Sequence, residues 1–385
     1  MTESAGTAYE AALGLAWLCG PGGHAVLRLL RSRTPEEIWA ASCRRLQEWG
    51  MGLDVARRFD VRREEFVLSS ARERVHTAGL RFVPFGSPEY PEQLGQLALP
   101  PAGLFVRGSA EALRGMLSVP RITIVGTRRA TAYGARAAET FASTFAVAGV
   151  AVASGMAFGI DTRAHKAALA TRGLTVAVMG CGADVVYPRA NRWLYDKIVD
   201  NGLVISELPP GSEPAPWTFP HRNRLLAALG DATLVVEGSP MSGALQTAGL
   251  ALDLGRSVLA VPGSIYAEGC RGCNQLLRDG ATPALEPCVA VEDFLRATRM
   301  ERGARQVRGD FGPASQQVGA EDCITRNLTS RNETVWKTLS AGASSVDVLV
   351  GRTGLAAREL SAALAELELE GLVARVGPGL YARAP

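Results

Sequence analysis

Six short apolar runs rich in β-branched residues recur along the middle of the chain: "RITIVG" from Arg121, "VAVASG" from Val150, "LTVAVMG" from Leu174, "GLVISE" from Gly202, "ATLVVEG" from Ala232 and "RSVLAVPG" from Arg256. Ala-rich stretches of helical spacing separate them. A run that is apolar at every position has no face for water, so such runs predict a parallel sheet with helices on both sides. Most runs end in Gly or a polar residue, which puts loops at the carboxyl edge of the sheet, where open α/β sheets bind ligands. The expected core is α/β, an extended Rossmann-like parallel sheet.

At 385 residues the chain has room for this core and smaller appendages. Positions 1–70 read as short helices broken by "CGPGGHAVLRLL", Cys19 to Leu30. That segment fits either a helix-hairpin-helix (SAM-like) unit, whose glycine turn approaches a phosphate, or a helical bundle with a glycine turn. Core assignment covers 71–295, beginning with Gly79 to Gly108, where prolines exclude long helices and suggest a strap leading into the sheet. Positions 296–328 are polar and rich in Gly and Gln, the composition of a flexible linker. In 329–385, three helices and a strand pair closed by Gly377-Pro378-Gly379 make the pattern of a winged helix. Its third helix, Ala356 to Glu370, carries several Glu and only Arg358, so duplex reading through it is electrostatically poor. A regulatory or protein-contact module is expected there.

No stretch joins membrane-spanning length to absence of charge, and Leu13, Leu15, Trp17 and Leu18 suit a packed helix better than a signal peptide. The expectation is a soluble, cytoplasmic protein without membrane contact. Seven Cys in no regular framework suit reduced thiols. A net charge of +3 does not decide for a nucleic-acid partner, so local patterning must.

"ITIVGTRRATAYGARAAETFA", Ile122 to Ala142, is strand, Gly-rich loop, helix. Gly126 and Gly134 permit the turn, and the loop amides with Thr127, Arg128 and Arg129 form an anion cradle. Neither GxGxxG nor GK[ST] is present, which disfavours NAD binding and ATP hydrolysis. "VASGMAFGIDTRAHKAAL" repeats the arrangement with Ser154, Gly155, Gly159, Asp161 and His165. Asp161 can cap the helix, with His165 one turn on; without a second carboxylate or metal ligand the pair reads as structural or ligand-orienting. Cys181 lacks a His or Asn in recognisable relation, and a single CxxC, Cys270 and Cys273, is weak support for zinc. No metal and no cofactor is assigned. "FPHRNRLLAALG", from Phe219, sets Arg222, Asn223 and Arg224 behind an aromatic, with Trp217 as a further stacking face. Single-strand binding wants cations for phosphates and a ring for a base. Alternatively, Arg222 or Arg224 pairs with Glu207 or Glu237 inside the fold.

Six motifs, "GTRRATAYG", "SGMAFGIDTRAHKAAL", "GCGADVVYPRANRWL", "ISELPPGSEPAPWTFPHRNRLLAAL", "VVEGSPMSGALQTAGLALDLGRSVLAVPG" and "GCNQLLRDGA", in this order resemble the DNA-processing protein A family (DprA, also called Smf) over Gly79 to Asp293. That resemblance implies a homodimer that binds and protects single-stranded DNA in natural transformation and helps load RecA recombinase. Carried over by position, it implies a phosphate loop at Gly126, Thr127 and Arg128, with Thr where Ser is common. A second patch falls on Phe219, Arg222, Asn223 and Arg224, with Ser242, Gly243, Thr247 and Asn274 completing it. Some members place a Lys just ahead of the Phe, and "EPAPWTF" lacks it, a departure that touches affinity rather than mode. The competing class is an enzyme of the nucleotide phosphoribohydrolase type on a similar fold. Its PGGxGTxxE signature is absent, and Glu237, the one obvious catalytic carboxylate, is better read as capping or pairing. No catalytic residue is assigned. A duplex-binding regulator would rest on the acidic tail alone.

Overall fold

The computed structural model describes residues 3–19, 23–306, 330–339, 344–369, 372–377 and 380–383. All six apolar runs form strands: β3 (Arg121–Val125), β4 (Ala151–Ser154), β5 (Thr175–Val178), β6 (Leu203–Ser206), β7 (Ala232–Val235) and β8 (Ser257–Ala260). With β1 (Arg81–Pro84), β2 (Gly103–Gly108) and β9 (Thr282–Pro283) they build one sheet ordered β1-β2-β6-β5-β4-β3-β7-β8-β9. The pairings from β6 through β9 are parallel, and β1 and β2 add an antiparallel edge. Every residue of β3, β4, β5, β6 and β7 is buried, as expected of strands covered on both faces.

The helices that matter for the carboxyl edge are α9 (Ala132–Val147), α10 (Ile160–Ala170), α11 (Arg192–Asn201), α12 (Thr218–Leu229) and α13 (Gly243–Asp253). Chain order climbs one way from β3 to β6 and the other way from β7 to β9. The reversal falls between β3 and β7, which makes their carboxyl ends the topological switch point.

Six helices precede the sheet: α1 (Glu3–Cys19), α2 (His24–Leu29), α3 (Pro35–Ala40), α4 (Cys43–Glu48), α5 (Leu53–Glu64) and α6 (Leu68–Thr77). A boundary at 70 falls inside α6, so the end of the helical segment moves to Thr77. Leu13, Leu15, Ile38 and Leu46 share one core with Phe82 and Phe105 of the sheet. Tyr9 meets the Phe82 ring edge-on at 5.5 Å, and Trp17 meets Phe105 at 6.2 Å. This apolar burial, at about 25 cal/mol per Å2, ties the helices to the sheet as one compact unit, Met1–Phe311. Gly20, Pro21 and Gly22, the turn that would define a helix-hairpin-helix, lie outside the described residues.

Between the sheet's early strands lie α7 (Glu92–Gly95) and α8 (Ala110–Ser118), and α14 (Arg271–Arg278) leads to β9. Then α15 (Pro287–Gln306) continues through the start of the stretch read as linker, and 307–329 lie outside the described residues. A second unit spans Gly312–Pro385. It holds α16 (Ser330–Thr338), α17 (Val346–Thr353) and α18 (Ala357–Leu369) with a sheet ordered β10-β12-β11, from β10 (Ser344–Ser345), β11 (Val373–Gly377) and β12 (Leu380–Arg383). Val335, Trp336, Leu349, Leu360, Leu364 and Leu367 form its core, a winged-helix arrangement. Pro378 and Gly379 of the strand-closing turn are outside the described residues.

Candidate functional site

A cleft of about 400 Å3 opens at the carboxyl ends of β3, β4 and β7, the switch point. Gly126, Thr127 and Arg128 form one wall, Phe219, Arg222 and Asn223 another, and Ser242, Gly243 and Thr247 a third. Three segments far apart in sequence thus converge. Helices α10, α12 and α13 each line it with first-turn residues, Asp161, Phe219 and Gly243 respectively, so three helix N-termini with their partial positive charge are gathered around one concavity.

The first wall is held by Glu237. Its main-chain oxygen accepts from the Thr127 amide at 2.7 Å, and its carboxylate accepts from the Thr131 amide at 3.0 Å and hydroxyl at 3.2 Å. Thr131 in turn caps α9 by accepting from the Gly134 amide at 3.1 Å. Gly134 is required here, because a Cβ would lie 2.0 Å from Glu237 Oε2. Of the two readings of Glu237, capping and pairing with an arginine, the fold shows the capping. The loop so fixed leaves Arg128 and Arg129 exposed, and neither is in an ion pair among the described residues. Arg128 lies over the Phe219 ring, 5.5 Å from its centroid; Arg129 is not part of the cleft lining.

Phe219 is half-buried rather than bare. Its ring rests on Gly180, where a Cβ would come within 2.8 Å, and the Tyr187 ring lies 5.3 Å away. The cation and two rings form a ladder at the rim. Trp217, 58% exposed, stands before α12 and outside the cleft lining.

Arg222 and Arg224 are both buried, at 5% and 8% exposure, but go separate ways. Two positions apart on a helix, their side chains point roughly 200° apart. Arg222 reaches the cleft floor, where it donates to the Gly155 carbonyl at 2.8 Å and to the Val178 carbonyl. Burial pushes its guanidinium down to about 10. Gly155 admits it, since a Cβ would meet the guanidinium at 2.6 Å. Arg224 instead pairs with Glu207, and its Nη2 lies 3.0 Å from His221 Nε2. It does not line the cleft, so Arg224 leaves the DNA-binding set and the pairing with Glu207 is its observed role. Asn223 donates to the Gly243 carbonyl at 3.3 Å, joining the second wall to the third.

Several other expected residues are structural supports. Ser154 donates to the Ile124 carbonyl at 2.6 Å beneath the floor. Gly159 sits at φ 75°, and a Cβ there would lie 2.2 Å from the Thr127 carbonyl oxygen. Asp161 lines the cleft but caps a loop: its carboxylate accepts from the Gly155 and Ala157 amides at 3.2 and 3.3 Å. Burial raises its carboxyl above the ordinary 3.8, and Arg222 pulls the other way. His165 is fully buried with Nδ1 2.7 Å from the Thr175 hydroxyl, and burial lowers its imidazole to about 3. It does not line the cleft, and Asp161 and His165 form no hydrogen bond with each other. Ser242 caps α13, Thr247 donates to the Gly243 carbonyl at 2.9 Å, and Asn274 bonds both backbone groups of Gly263, outside the cleft lining.

Sequence reasoning missed Pro216, Pro220 and Gln246, which also line the cleft. Gln246 had a readable signal, lying one turn after Gly243 on the helix that carries Thr247. Burial pushes the Cys181 and Cys273 thiols up to about 12, which removes them as nucleophiles. Among the described residues no three His, Cys, Asp or Glu side chains gather as a metal requires, and no helix is long and apolar enough to cross a membrane.

The sequence profile of the family described as DNA recombination-mediator protein A matches residues 81–295, and that of the DprA winged helix domain matches 324–379. Protein Smf of Synechocystis is 33% identical over 318 residues, 78% of this chain and 79% of the relative. Protein Smf of Escherichia coli is 33% identical over 346 residues, 88% and 86%. The solved structure of DNA processing protein A from Streptococcus pneumoniae aligns at 32% identity and TM-score 0.59 over 64% of this chain and 84% of that one. That of DNA processing protein A from Helicobacter pylori, described for its single-stranded DNA binding mode, aligns at 27% identity and TM-score 0.52 over 57% and 98%. The profile spans more than half the chain and takes in all three walls of the cleft, so this chain belongs to the DNA recombination-mediator protein A family, DprA/Smf.

Proposed function

We propose that the cleft binds the sugar-phosphate backbone of single-stranded DNA and that the chain is a binder rather than an enzyme. Arg128 carries this reading. It is exposed, unpaired by any acid among the described residues, and held over an aromatic ring at the mouth of a concavity faced by three helix N-termini. Single-strand binding by the Helicobacter pylori relative supports the same use of the same fold. Against catalysis stand the two carboxylates nearest the cleft, Glu237 and Asp161, both engaged by backbone amides. Family membership extends the proposal to a cytoplasmic homodimer that protects incoming strands in natural transformation and helps load RecA.

The test is fluorescence anisotropy of a labelled oligothymidine in a salt series, with duplex and nucleoside monophosphates as competitors. Arg128→Ala is expected to weaken binding to every single-stranded sequence and to flatten the slope of log K against log salt by about 0.7, one phosphate's worth. Unchanged affinity would remove Arg128 from the interface. Strong displacement by one monophosphate would favour the phosphoribohydrolase class instead.

A further inference from the structure

Away from the cleft, α10 and α11 pack side by side and leave a hollow of about 450 Å3 between them. Lys166 and Arg172 line it from one side, Trp193 and Lys197 from the other, over a floor that includes Leu169 and Ala170. No acid lines it; Asp196 and Asp200 of α11 are absent from the lining. Trp193 is 62% exposed, an unusual state for an indole, and Lys166 Nζ lies 5.8 Å from its ring centroid. None of the three cations is in an ion pair among the described residues, whereas Arg163, earlier on α10, is held by Glu139 at 2.7 Å. Arg172 has φ 58°, a left-handed position after the helix where glycine is the ordinary choice. An exposed ring ringed by unpaired cations is the composition of a single-strand stacking site.

Helix α10 runs from the cleft to the hollow. Helix α10 starts at the cleft, where Asp161 lines it, and spans 11 residues. At 1.5 Å per residue it is about 16 Å long, a distance a few nucleotides cover. Tyr187, 38% exposed and in ring contact with Phe219, opens the segment that carries exposed Arg189 and ends at Trp193. Asn191 anchors that segment by donating to the Met156 carbonyl at 3.2 Å and the Thr162 hydroxyl at 2.9 Å.

We propose that the hollow between α10 and α11 is a second subsite for single-stranded DNA, in which Trp193 stacks a base while Lys166, Arg172 and Lys197 hold flanking phosphates. It rests on the reading of the cleft as a single-strand site and extends the strand's path beyond it. The phosphates supply the charge complement, and the exposed indole favours a base over an acidic peptide.

The experiment compares oligothymidines of about 6 and about 20 nucleotides, lengths that bracket one and two subsites, by anisotropy on the full chain. Trp193→Ala is expected to weaken the longer oligonucleotide roughly 5- to 100-fold and to leave the shorter one unchanged. Trp193→Phe, which keeps a stacking face, should restore most of the loss. Lys166→Ala with Lys197→Ala should lower the salt slope for the longer strand alone by about 1.4, two phosphates at about 0.7 each. If Trp193→Ala binds both lengths as the wild type does while Arg128→Ala weakens both, the hollow is not a subsite and the cleft reading survives. If polyglutamate displaces the longer strand from wild type but not from the lysine double variant, the hollow is a general acidic-polymer site and the proposal falls. If the wild-type chain binds neither oligonucleotide, the cleft reading falls and takes this one with it.

Discussion

Replacing Arg222 by Met separates a cation that braces the cleft from one that reaches for phosphate. The structure argues for the brace. Arg222→Met deletes three charge-assisted hydrogen bonds, to the Gly155 and Val178 carbonyls and to Asn223 Oδ1, in a site only 5% exposed. Each such bond contributes about 1.5–3 kcal/mol. Relief of the guanidinium's own burial offsets part of this, and a net loss near 3 kcal/mol at neutral pH is expected. The loss should also depend on pH through Asp161, whose carboxyl burial already raises above 3.8 and which loses the opposing pull of Arg222. A carboxyl whose folded pKa is raised gives its stability below the unfolded pKa and withdraws it as pH rises through the folded one. In the variant that folded pKa climbs further, so the penalty grows as pH rises above the unfolded value of 3.8 and shrinks as pH falls toward it. Urea unfolding followed by circular dichroism at about pH 7 and pH 5 reads this, with Asp161→Asn in the same background expected to remove the Asp161 part and leave the part carried by His165, which Arg222 also helps to lower. A variant as stable as the wild type but with a lower salt slope for single-stranded DNA would refute the reasoning, because it would place the Arg222 charge on the strand rather than in the floor.

Two further substitutions test neighbouring parts of the site. Phe219→Ala removes the ring on which Arg128 rests, so it should weaken single-strand binding and lower the salt slope as well; a slope equal to wild type would mean the ring stacks on a base without help from Arg128. His165, lowered by burial to about 3, is held neutral in the fold. Its contribution is present above the unfolded value of 6.5 and is lost as pH falls, by about 2 kcal/mol between pH 7 and pH 5 at 1.36 kcal/mol per unit. His165→Gln should flatten the stability profile over that interval, and parallel profiles would count against it.

The six strands were legible because an element buried on both faces writes its burial into every residue. The convergence of Gly126, Phe219 and Ser242 was legible only as far as the switch-point rule reaches, since the rule names an edge and not which loops meet there. What one sequence does not carry is direction. "FPHRNR" shows cations clustered along the chain, yet the helix sends Arg222 under the cleft and Arg224 to Glu207. Period alone separates them by roughly 200° without saying which side is the ligand's. The Asp161 and His165 spacing likewise suggests a pair on one face, and the fold turns the carboxylate back onto the amides of 155 and 157. Nothing in "PRANRWLYDKI" marks Trp193 as a surface ring, because an exposed ring and a buried one are written with the same letter.

The winged-helix unit sharpens what the cleft must do unaided. In α18, "ARELSAALAELEL", the single cation Arg358 is outnumbered by three carboxylates, Glu359, Glu366 and Glu368. Glu366 is spent locally, accepting from Arg331 and Asn332 at 2.8 Å each, and the remainder still presents more acid than base. A helix of that balance repels a phosphate backbone, so it gains no counterion release by entering a duplex groove. The prediction is that a chain ended after Phe311, the limit of the first compact unit, keeps the affinity and the salt slope of the full chain for oligothymidine. Duplex should compete poorly with both, since a cleft of about 400 Å3 has the size of a small-ligand pocket and admits one nucleotide's breadth of strand. A loss of roughly tenfold or more on truncation, with circular dichroism unchanged over the core, would put DNA contacts in the second unit despite its charge.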